Sequence, residues 1–89
     1  MGGAADTGNA SDSRAQLGET FEGYALSAST RKTRDGRWSV AVTVARAVDG
    51  SLRSERFVDT KISLILKIEA EKESINFGKN LIRNRLVGF

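Results

Sequence analysis

The stretch RWSVAVTVARA, residues 37–47, sets Trp38, Val40, Val42 and Val44 in one phase and Ser39, Ala41, Thr43 and Ala45 in the other. A period of two, carried largely by β-branched residues, is the pattern of a strand covered on one face. It reads as the central strand of an antiparallel sheet. Upstream, FEGYALSAST (residues 21–30) repeats the alternation with Tyr24, Leu26 and Ala28 against Ala25, Ser27 and Ser29. Between the two runs lies the polar RKTRDG, where Asp35-Gly36 offers the left-handed backbone that a hairpin turn requires. Downstream, Asp49-Gly50 repeats that signal, and LRSERFV (residues 52–58) returns as a third strand with Phe57 inward. Arg53 and Glu55 share the phase of Phe57, so a bulge or a short paired region is expected there.

From residue 68 the period changes. In IEAEKESINFGKNLIRNRL, Ala70, Ser74, Phe77 and Leu81 make one flank and Ile75, Gly78, Ile82 and Leu86 the other, together one broad apolar helix face. Acidic residues crowd its start (Glu69, Glu71, Glu73) and basic ones its end (Lys79, Arg83, Arg85), which complements the helix dipole. Gly88 is the expected stop. Residues 61–67, KISLILK, read as extended; the alternative is a longer helix capped by Thr60.

The expected architecture is α+β: an antiparallel sheet of three strands, four if residues 61–67 form one, with a single C-terminal helix packed on the face of Tyr24, Leu26, Trp38, Val40, Val42 and Val44. Trp38 is expected in the core. Residues 1–20 are Gly, Ala, Ser, Asp and Thr with a single Leu17, too apolar-poor to offset ordering entropy, and are expected to be a disordered tail. Residues 21–89 then form a single β-β-β-(β)-α domain.

Composition narrows the function. Eighty-nine residues are room for one small domain, and the chain has neither His nor Cys. That excludes Ser-His-Asp and Cys-His catalysis, disulfides and Cys/His zinc sites. No cofactor and no enzymatic role are expected. No apolar run approaches the roughly 18 residues a membrane helix needs, and no secretory leader is read, so the expectation is a soluble, cytoplasmic protein. The net charge is +3, and the cations gather around the first turn.

Two resemblances rest on these residues. DGRWSVAVTV, the second DG, Phe57 and the EA opening of the helix resemble the arm-binding domains of phage-type integrases and the plant ethylene-response DNA-binding domains. Those are three-stranded sheets backed by one helix, and the resemblance implies a sheet face laid in the major groove. The pattern FEGYAL, GRWSVAVTVAR, Phe57 and EAEKESINFGKNLI, spanning residues 21–83, is closer to a group of small bacterial proteins and implies no activity.

The candidate nucleic-acid contacts are Arg31, Lys32, Arg34 and Arg37 at the turn and Arg46 and Arg56 near strand ends. The sheet face away from the helix carries Ala25, Ser27, Ala41, Thr43 and Ala45 instead of the basic and aromatic side chains that read base edges. Those five small residues are the candidate interaction face. The leading expectation is a non-enzymatic interaction module, a homodimer or a protein partner meeting the sheet; the alternative is weak, sequence-nonspecific nucleic-acid binding by the basic turn.

Overall fold

The computed structural model describes residues 16–89. Four strands, β1 (Gly18–Phe21), β2 (Tyr24–Ala28), β3 (Trp38–Val48) and β4 (Ser51–Leu64), are followed by one helix, α1 (Lys67–Arg83). The strands form an antiparallel meander in the order β1-β2-β3-β4. The expected α+β class, with a four-stranded sheet and one C-terminal helix, is what the chain adopts.

The strands are not all where they were expected. β1 lies within residues assigned to the tail, so that boundary is corrected: residues 18–20 belong to the sheet, and residues 1–15 lie outside the described residues. The cause is the turn. Glu22 (φ 50°) and Gly23 (φ 85°) are both left-handed, a two-residue loop whose twist matches the strands it joins and folds Phe21 back onto Tyr24. Asp49 (φ 52°) and Gly50 (φ 80°) close β3 onto β4 in the same way. At residues 33–36 only Gly36 is left-handed; Gly36 N–H donates to Thr33 C=O and Thr33 N–H to Arg37 C=O, a bulged loop on a longer connection.

Residues 61–64 are extended, as expected, but they continue β4 and add no separate strand. Between Asp59, opposite Val40, and Ser63, opposite Ser39, residues 60–62 are extra, an enlarged bulge. The expected bulge or short paired region at Arg53 and Glu55 is corrected: β4 pairs with β3 in register down to Ser51, and both residues are tolerated in the phase of Phe57 because the two strands run on beyond the core and leave them exposed.

Leu26, Ala28, Val42, Val44 and Ile75 form the core cluster, with Phe21, Tyr24, Phe57, Phe77, Leu81, Ile82 and Val87 packed around it. Gly78 sets how closely helix and sheet approach, since a Cβ there would stand 3.0 Å from Val42 Cγ2 and 3.3 Å from Leu26 Cδ2. Trp38 corrects an expectation: it is half-buried at the rim, between Lys32 Nζ and Lys67 Nζ, 5.7 and 5.5 Å from the ring centroid. The helix ends before Leu86. Arg85 (φ 58°) turns left-handed, its N–H donates to Ile82 C=O and the Leu86 N–H to Leu81 C=O, so a Schellman motif at Arg85 replaces the expected stop at Gly88.

Candidate interaction surface

Alternation fixes the two sheet faces. Val42 and Val44 point to α1, so Thr43 and Ala45, with their partners Arg56 and Ser54, point to the open face. Ala25 and Ser27 join them from β2 and are exposed, while Thr43 and Ala45 are half-buried. Ala41 is different, with none of its surface exposed, and it drops out of the expected interaction face.

Two contacts account for that burial and for the course of the sheet. Arg56 Nη2 donates to Ser29 C=O (2.7 Å) and Nε to Ser29 Oγ (3.1 Å), so this side chain spans from β4 to the end of β2 and lies across β3 beside Thr43 and Ala41. From the other side, Ala41 N–H donates to Ser74 Oγ of α1 (2.9 Å), and Ser74 Oγ–H donates to Ala70 C=O (2.6 Å). Ser74 is fully buried, and it satisfies a strand N–H where β2 leaves the ladder. Helix phase showed Ser74 facing the sheet; its partner depends on where β2 turns away, which phase does not reveal.

The six candidate cations do not share one surface. Arg31, Lys32 and Arg34 are exposed on the β2–β3 connection. Arg37 is held by β4, with Nε on Ser63 Oγ (3.0 Å) and Nη2 on Ser63 C=O (2.8 Å). Arg56 lies on the open face as described. Burial, and then the charge of Arg31, hold its pKa below the usual guanidinium value. Arg46 lies in the phase of Val44, on the helix side, its guanidinium 4.8 Å from the Tyr24 ring centroid and Nη1 donating to Tyr24 Oη (3.0 Å). The Tyr24 hydroxyl in turn donates to Phe89 C=O. Asp35, at the tip of the basic loop, accepts from the Thr33 hydroxyl, and that bond holds its carboxyl below the usual carboxylate range.

Apolar residues also stand exposed on the other rim. Leu52 (76%), Ile65 (70%), Leu66 (58%) and Val58 (42%) expose much of their surface along β4 and its link to α1. Leu64, Ile65 and Leu66 line a groove of about 460 Å³ with Arg37, Glu69 and Glu73. Glu71, read as one of three first-turn acids, is only 2% exposed and pairs with Lys67 at 3.8 Å. Among the described residues, no three acidic side chains gather to hold a metal, and no helix is long and apolar enough to cross a membrane. No protein family, curated protein or solved structure matches the chain.

Proposed function

We propose that the chain is a non-enzymatic interaction module that associates through its sheet, in the first instance with a second copy of itself. One observation carries this reading: a sheet with one face closed by α1 keeps its other side accessible, as small residues on β2 and β3 and as exposed Leu52 and Val58 on β4. Apolar side chains exposed on one side of a sheet leave area that a second protein can cover. The test is sedimentation equilibrium. A dimer in the micromolar range supports the reading, and a clean monomer at about 100 µM, two decades above a 1 µM dissociation constant, overturns it.

A second reading, nonspecific nucleic-acid binding, is favoured by one feature only. Arg31, Lys32 and Arg34 stand exposed on one connection, and a phosphate near the loop would be attracted to all three. With Arg46 on the helix side and Arg37 held by Ser63, contacts are limited to Arg31, Lys32 and Arg34, with Arg56 behind them. This reading expects steeply salt-dependent binding without sequence preference, measured by fluorescence anisotropy on unrelated duplexes.

A further inference from the structure

The register of the sheet determines which backbone groups β4 leaves unpaired. Ser29 N–H donates to Ala41 C=O (2.9 Å), so the odd-numbered residues of β3 turn their backbone groups toward β2. Each then faces β4 in a pair without hydrogen bonds. Their β4 partners are Leu52, Ser54, Arg56 and Val58, whose N–H and C=O groups therefore point away from the sheet along its outer edge. The bulge at residues 60–62, where Lys61 N–H donates to Asp59 Oδ1 (3.0 Å), interrupts this edge. What precedes it is a regular strand running from the Asp49-Gly50 turn to Asp59, whose outer edge no other strand pairs with among the described residues.

Charge selects the occupant and the register. Arg53 stands opposite Arg46 on the helix side of the sheet, a like-charge pair, while Glu55 stands opposite Val44. Among the described residues, neither Arg53 nor Glu55 has an ion-pair partner. A second copy pairing antiparallel across the edge must set outward-pointing residues against outward-pointing residues, so its two-fold axis falls on or midway between them. Centred on Arg56, the axis opposes Arg56 to itself; centred on Glu55, it opposes Glu55 to itself. Centred on Ser54, it places Arg53 against Glu55 of the second copy twice, and a small neutral residue on the axis.

We propose that two copies of this chain join by antiparallel pairing of β4 with β4 about Ser54, giving one continuous eight-stranded sheet. This rests on the self-association reading above and specifies its surface. The two Arg53–Glu55 pairs supply the acid that the Arg46–Arg53 juxtaposition lacks, and Leu52 of each copy stands opposite Arg56 of the other, whose guanidinium is turned inward to Ser29.

The absence of native cysteine allows a direct test in the full-length chain. In this register the two Ser54 Cα atoms are about 5.5 Å apart, within disulfide range, whereas the two Ser51 Cα atoms are roughly 20 Å apart. Mild oxidation of Ser54→Cys is expected to give a covalent dimer, and Ser51→Cys is expected to give none. Arg53→Glu should weaken the dimer by about tenfold or more, and Arg53→Glu/Glu55→Arg should restore it. If the native chain sediments as a dimer but Ser54→Cys remains uncrosslinked, or the double variant is not restored, the edge register is wrong while self-association stands. If the native chain is a monomer at about 100 µM, both readings fall.

Discussion

The sheet has two edges, and the chain treats them differently. β1 is four residues long, and its Glu19 is paired with Lys79 of α1, while Lys79 Nζ and the Arg83 guanidinium lie 5.7 and 5.1 Å from the Phe21 ring centroid. It is short and tied to the helix through Glu19 and Phe21. β4 is fourteen residues long, and its interruption is a bulge near one end. Short strands, bulges and covering elements are the devices by which proteins keep edges from pairing. The lesson is that β1 offers a partner only four residues, tied to α1 by Glu19 and Phe21, whereas β4 offers a long run of outward backbone groups that a partner strand would complete.

The contrast depends on where α1 sits, so the largest effects should come from moving the helix. Gly78→Leu forces a side chain into Val42 and Leu26 and is expected to cost about 3 kcal/mol, overpacking that the close backbone approach cannot absorb. Urea denaturation would measure it. Ser74→Ala removes the acceptor of the buried Ala41 N–H and should cost about 1–3 kcal/mol, with faster amide exchange at Ala41 as its local signature. Ser74→Thr, which keeps the hydroxyl, should recover part of the loss.

A smaller effect is expected at the closed edge. Glu19→Lys replaces the pair with Lys79 by a repulsion on an exposed strand and should cost no more than about 1 kcal/mol by urea denaturation, because such pairs are screened. The smallest change concerns the basic loop. Thr33→Ala should return the Asp35 carboxyl toward its ordinary range in an NMR titration. With its folded pKa lowered, Asp35 supports the loop above its unfolded value and loses that support as pH falls through the folded one. The native loop should therefore loosen only in acid, and the Thr33→Ala loop should lack that added support at neutral pH.

The sequence showed the centre of the molecule better than its rims. RWSVAVTVARA shows its phase in four alternating apolar residues, and the helix face is marked by Ala70, Ser74 and Gly78, so the layer structure followed directly. β1 was hidden because GETF holds one apolar residue and its pairing depends on the Glu22-Gly23 turn. A Gly two residues after Phe21 and directly before Tyr24 was the available signal. Trp38 has the right phase, but phase does not say where the helix stops covering the sheet.

For the site, the split of the cations was partly readable. Arg46 shares parity with Val44 and therefore had to fall on the helix side. The reach of Arg56 to Ser29, which buries Ala41, required the register across three strands, and no single strand's pattern contains that. The open edge of β4 likewise appears only once strand order and hydrogen-bond phase are both known.

Amide hydrogen exchange compares the two edges in one sample. The outward amides of β1 are Gly18 and Thr20, and those of β4 in the pairing about Ser54 are Leu52, Ser54 and Arg56. As protein concentration rises from below to well above 1 µM, the β4 amides are predicted to become protected by about tenfold or more while Gly18 and Thr20 exchange at an unchanged rate. Exchange at Leu52, Ser54 and Arg56 that stays as fast as at Gly18 and Thr20 at every concentration would contradict the claim that β4 is an edge built to be completed.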